Sequence, residues 1–140
     1  RLITRRGCLE LWKLNMRPGK PVGFGDIDDC PILALPGNPF AASVAFHLIG
    51  RVIIAQLSGN VSARPTSFRL PLASHVAKKP DHLQVLAGKL VRSNGTTAIE
   101  PLEMQGSANL LALAGAQGLI LLPQGRENFP AGEIAEFVLL

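Results

Sequence analysis

Residues 31–46 read PILALPGNPFAASVAF. The opening PILALP is too short for a helix and is bounded by prolines, which predicts a buried strand. From residue 38 to about residue 57 the apolar spacing changes to the helical period, with Phe40, Val44, His47, Leu48, Val52 and Ala55 on one stripe. Between the two lies Pro36-Gly37-Asn38-Pro39. Pro36 ends the strand, Gly37 permits a sharp turn, Asn38 is a good N-cap, and Pro39 suits the first helical position. The N–H groups of Phe40, Ala41 and Ala42 are then expected to point off the helix start, where the dipole favours an anion. Ser43 can add a hydroxyl one turn in. A plain capped corner with no ligand is the competing reading.

Working outward, CLELWKLNM at 8–16 alternates with apolar residues on both faces, which predicts one strand of a sheet covered on both sides. RPGKP follows as a rigid loop, because Pro18 and Pro21 cannot join a central ladder. Lys13, Arg17 and Lys20 gather around that strand end and loop. In an open parallel sheet, ligands bind beyond the carboxyl ends of the strands. Strand, loop, strand, turn and helix read as half of an α/β sandwich whose partner strands lie outside this chain. The acidic loop GDIDDC, with Asp26, Asp28 and Asp29, reads as a solvated turn.

After the SGN that closes the helix, 61–66 is a connector and the character turns to β. SFRLPLASHVAKK suggests an edge strand, and HLQVLAGKLVR a better one with a bulge at Ala87-Gly88. SNGT suggests a type I′ hairpin at Asn94-Gly95, answered by TAIEPLE. GSANLLALAGAQ suggests a helical turn capped by Ser107, GLILLP a strand, QGRENFPAGE a loop and IAEFVLL a last strand. The fold class is therefore α/β, followed by a small all-β terminal domain of about five strands. The division falls at residues 1–60 and 61–140.

Composition narrows the function classes. The net charge of +4 comes from scattered residues, and one Trp, six Phe and no Tyr leave little surface for stacking bases. A small anionic ligand suits this balance at least as well as a polynucleotide, and neither a nucleic-acid nor a membrane partner is expected. Cys8 and Cys30 lack zinc-ligand spacing and read as reduced, apolar thiols. His47, His75 and His82 are unclustered, with His47 on the helix core stripe. The opening RLITRRGCLELW, with neither an initiator Met nor an apolar signal core, suggests a cytoplasmic protein cut from within a longer chain.

ELWKLNMRPGKPVGFG at 10–25 and LPGNPFAASVAFHLIGRVIIAQLSG at 35–59 resemble the molybdopterin molybdenumtransferase family, MoeA and the gephyrin E domain. The terminal 106–140 resembles that family's last β domain. The resemblance implies the C-terminal part of a three-layer, molybdopterin-binding α/β domain in a cytoplasmic homodimer. It implies an enzyme that inserts molybdate into adenylyl-molybdopterin, with Mg²⁺, to form molybdenum cofactor. Lys13 and Arg17 would act as the catalytic cations. Lys20, Pro36, Gly37, Asn38, Pro39, Ser43 and Ser107 would bind substrate. The glycine-rich segment and Mg²⁺ carboxylates of the family lie upstream, so the piece alone is expected to be inactive and to hold no metal. Ala87 stands where the family often has an arginine. The alternative is a non-catalytic scaffold or ligand-binding β module, as in the gephyrin branch.

Overall fold

A computed structural model describes residues 7–93, 95–102 and 113–140. The described chain is mostly β-sheet with one long helix. Strands β1 (Leu9–Trp12), β3 (Gly23–Ile27) and β4 (Cys30–Ala34) form an antiparallel sheet in the order β1-β3-β4. The parallel arrangement expected for these strands is corrected, because β3 and β4 are joined by a tight hairpin. Asp28 and Asp29 occupy its two turn positions with φ of 50° and 62°, and Ile27 pairs with Cys30 across it. Aspartate tolerates this left-handed backbone, which is what a two-residue turn demands.

The single strand expected over 8–16 is also corrected. It breaks at Lys13, whose φ is +71°, and resumes as β2 (Met16–Arg17). Cys8 and Cys30 are free thiols as expected, but both are exposed and not apolar filling.

The remaining strands are β5 (Ser67–Pro71), β6 (Val76–Ala77), β7 (Leu83–Ser93), β8 (Thr96–Pro101), β9 (Gly118–Leu122), β10 (Asn128–Phe129) and β11 (Ile134–Leu139). Hydrogen bonding runs β8-β7-β9-β11-β5. Leu72 bridges to Ile99 and the Ala73 amide donates to the Ile99 carbonyl, so β5 returns to β8 and the sheet closes as a small barrel. Ser93 pairs with Thr96 and Gly95 has φ +82°, as the SNGT hairpin requires. No bulge interrupts β7: its pairing to β9 is unbroken from Gln84 to Gly88. Gly88 is there for space, since a Cβ would lie 2.8 Å from Ile120. The helical turn and cap predicted around Ser107 lie outside the described residues.

Strand alternation gives the barrel wall two apolar faces. Ile120, Leu122, Ala135 and Phe137 point inward with Leu72, Ile99 and Phe129. Val85, Ala87, Leu119 and Val138 point outward and are met by Met16, Phe40 and Val44. Residues from both sides of position 60 therefore share one core. Ala87 is fully buried within it.

The helix α1 (Pro39–Leu57) supplies Phe40 and Val44, and carries one wider π turn at Phe46–Gly50. By length and composition alone, α1 is long and apolar enough to span a bilayer. Core helices meet the same measure, and Phe40, Ala41, Val44 and Ala45 are buried.

Two outcomes test these contacts. Asn38 Oδ1 accepts from the Ala41 amide at 3.0 Å, so Asn38→Ala should lower unfolding free energy by about 1 kcal/mol, read from urea titration. His47 is half-buried, and burial, then Arg51 one turn on, lower its pKa below the ordinary 6.5. The unfolded chain therefore binds this proton more readily, and the His47 contribution to stability is lost as pH falls below 6.5. His47→Gln should flatten the drop in urea midpoint between about pH 7.5 and about pH 5.5.

Candidate functional site

The sequence places cations and a helix start near one another only if Arg17 is brought to the PGNP corner. Backbone pairing does this. Met16 and Arg17 lie parallel to β7, in register with Leu83 and Gln84, and the Leu83 amide donates to the Asn15 carbonyl at 3.0 Å. Strand β8 joins the same edge of β7 only from Gly88 onward. Between these two partners, among the described residues, the Leu102 amide donates to the Ala87 carbonyl at 2.9 Å. A cleft of about 430 Å³ opens there, lined by Arg17, Pro18, Asn38, Phe40, Ala41 and the 84–86 stretch of β7.

The RPGKP loop is held against the helix start by tight packing. Gly19 is buried with φ +113°, and a Cβ there would come within 2.6 Å of the Met16 methyl. Only glycine meets both demands. The Leu14 amide donates to the Lys20 carbonyl at 2.9 Å and the Lys13 amide to the Val22 carbonyl at 2.9 Å. Lys13 and Lys20 thus flank one narrow loop, both exposed.

Arg17 and Asn38 are brought together in the cleft. Lys13, Lys20, Pro36, Gly37, Pro39 and Ser43 are not among the residues that line it. Pro36 is buried beneath the corner and Gly37 stands open, with nothing within 4 Å of a Cβ there. Ser107 lies outside the described residues.

The expected cradle of three free amides is corrected. The Ala41 amide is taken by the Asn38 side chain, and the Ala42 amide donates to the Asn38 carbonyl at 2.8 Å. A good cap satisfies the very groups an anion would otherwise use. The helix start contributes its dipole, and Arg17 supplies the full charge. Among the described residues, no carboxylate lies within 4 Å of Lys13, Arg17 or Lys20 to form an ion pair.

Sequence reasoning missed the polar cluster beside the cleft. His82 is buried, 4% exposed, with Nδ1 2.6 Å from Asp81 Oδ1 and Nε2 2.8 Å from Gln84 Oε1. The hydrogen bond from His82, against desolvation and with help from a backbone hydrogen bond and the charges of His82 and Arg17, holds the Asp81 carboxyl below its ordinary range. Asn15 Nδ2 donates to the Asp81 carbonyl at 2.9 Å and to Gln124 Oε1 at 2.8 Å. The available signal was the alternation of His82 and Gln84 on one strand face, next to an aspartate.

No group of three or more His, Cys, Asp or Glu among the described residues is placed to hold a metal ion. Mg²⁺ prefers oxygen ligands in near-octahedral array, and the described residues do not offer that set.

A closed β-sheet met by one capped helix, with Arg17 beside the helix start, is the architecture the described residues define. Residues 69–140 match the model of the MoeA C-terminal region (domain IV), and the chain belongs to that family. A molybdopterin molybdenumtransferase of Haemophilus influenzae is 29% identical over 134 residues, covering 94% of this chain and 33% of that protein. Molybdopterin molybdenumtransferase 1 of Mycobacterium tuberculosis is 32% identical over 153 residues, covering 99% and 34%. The chain thus spans about a third of the length of these curated relatives. The fold matches a molybdopterin biosynthesis MoeA protein from Pyrococcus horikosii with a TM-score of 0.80 and 22% identity, covering 98% of this chain and 33% of that one.

Gly19→Ala tests the loop that presents Arg17. Strain at positive φ together with the Met16 clash should cost about 2 kcal/mol, measured by chemical denaturation.

Proposed function

We propose that the chain is the C-terminal part of a molybdopterin molybdenumtransferase, which inserts molybdate into adenylyl-molybdopterin during molybdenum cofactor biosynthesis. The observation that carries this reading is the juxtaposition of Arg17 with the capped start of α1 in one cleft, within a chain of the MoeA family.

A guanidinium presents paired N–H donors to two oxygens of molybdate or phosphate, and the α1 dipole adds to the attraction. As the oxyanion exchanges partners, Arg17 would hold its charge in place, which gives it a catalytic role. Lys13 is assigned the same role. Lys20 would draw the anion towards the cleft as a point charge. Pro36, Gly37, Asn38 and Pro39 would fix the corner, and Ser43 and Ser107 would add hydroxyl contacts. In this reading the ligands for Mg²⁺ come from the upstream two-thirds of a longer homodimeric, cytoplasmic protein, and this chain alone does not turn over. The 1–60 portion would complete a three-layer α/β domain, and 61–140 would be the terminal β domain. Neither nucleic acid nor membrane is a partner.

The test is saturable binding of molybdate and of molybdopterin-like phosphates to the full-length protein. Losing a charged hydrogen bond is worth about 1.5–3 kcal/mol, so Arg17→Ala should weaken binding by roughly 10- to 100-fold, and Lys20→Ala by less. A non-catalytic scaffold would bind its partner equally well with either change, and unaltered molybdate affinity in Arg17→Ala would overturn the enzyme reading.

A further inference from the structure

We propose a second anion site, separate from the Arg17 cleft, in the cavity where the second half of α1 meets the 60–66 connector; its ligand is a small phosphate monoester. The cavity holds about 600 Å³ and is lined by three basic side chains, His47, Arg51 and Arg64. No aspartate or glutamate lines it, and among the described residues no carboxylate lies within 4 Å of either arginine. It shares no residue with the Arg17 cleft. Arg51 follows Ala41 of that cleft by ten positions on α1, about 15 Å further along the helix axis.

Backbone hydrogen bonds fix the walls. The Asn60 amide donates to the Ala55 carbonyl at 2.9 Å and the Ala63 amide to the Asn60 carbonyl at 3.1 Å, so the chain turns back beside the helix. The Leu139 amide, donating to the Thr66 carbonyl at 2.9 Å, ties the far end of the connector to the last strand. One arginine from the helix and one from the connector therefore converge on a single cavity. Each guanidinium can present paired N–H groups to two oxygens of a phosphate. Arg64 Nη1 donates to the Ala63 carbonyl at 2.7 Å, and Arg51 Nη1 lies 3.5 Å from His47 Nδ1. With Nδ1 turned to Arg51, the neutral imidazole carries its proton on Nε2, which is a further donor. The carbonyls at the helix end would repel an anion, but those of Ile54, Ala55 and Gln56 are taken by the amides of Ser58, Asn60 and Gly59. The rest of the lining sets the body of the ligand. Val52, Ala55, Pro65 and Leu139 form an aliphatic wall, and no aromatic ring lines the cavity for a base to stack on. Asn60, Ser62 and Thr66 bring an amide and two hydroxyls. That set suits a phosphate carried on a short hydroxylated carbon chain, and the volume exceeds what bare phosphate fills.

The probe is glycerol phosphate, titrated by calorimetry into the full-length protein in a phosphate-free buffer. The expected result is saturable binding, tighter than that of inorganic phosphate. Arg51→Gln and Arg64→Gln should each weaken it by about tenfold, as the loss of a charged hydrogen bond does, while Arg17→Ala leaves it unchanged. Both Arg51 and Arg64 are exposed, so the variants should keep the wild-type urea midpoint, which separates lost binding from lost folding. Absence of saturable binding overturns the proposal. Binding that falls with Arg17→Ala but not with Arg51→Gln or Arg64→Gln puts the phosphate in the first cleft and overturns it equally. Inorganic phosphate held as tightly as the ester overturns the assignment of an organic ligand. None of these results bears on molybdate binding at Arg17, so the two sites stand or fall separately.

Discussion

The two-residue pairing of Met16 and Arg17 with Leu83 and Gln84 is the contact on which the rest depends. It is the only strand pairing among the described residues that joins the region before the helix to the barrel. Met16 goes down into the shared core with Phe40 and Val85, while Arg17, one residue on, faces the other way. A slip of one residue would exchange these faces, burying a guanidinium and exposing a thioether. The apolar demand of Met16 therefore fixes where Arg17 can be.

The relative size of the electrostatic effects decides which residue matters at the cleft. A helix terminus contributes about 0.3–1 kcal/mol to a nearby charge, against about 1.5–3 kcal/mol for a hydrogen bond to a charged group. With two of the first amides already bonded to Asn38, the helix start can orient an anion but not hold it alone. Arg17 supplies most of the attraction. Under the proposed reading the pull of Lys13, Lys20 and Arg17, all three exposed, would weaken with salt.

Local features were legible in the sequence. The Asn38 cap, the Pro39 start and the helix to Leu57 follow from spacing and propensity within a few residues. The hairpin closed by Ser93 and Thr96 was legible for the same reason. What sequence reasoning lost was non-local or conformationally rare. A lysine at positive φ splits 8–16 into two strands, and nothing in its side chain announces that. Parallel pairing of β2 with β7 joins residues 67 positions apart, beyond any periodicity. At the site, Arg17 was legible as a cation after a strand. His82 was not legible as buried, because a histidine beside an aspartate and a lysine-rich turn reads as surface until Gln84 and Asn15 enclose it.

The most direct measurement is a crystal structure of the protein soaked in molybdate, with anomalous scattering collected at the molybdenum edge. The predicted result is one anomalous peak in the cleft between the Arg17 guanidinium, β7 at Gln84 and the first turn of α1. A peak held only by Lys13 and Lys20 outside that cleft, or Arg17 turned away from an empty one, would contradict the account.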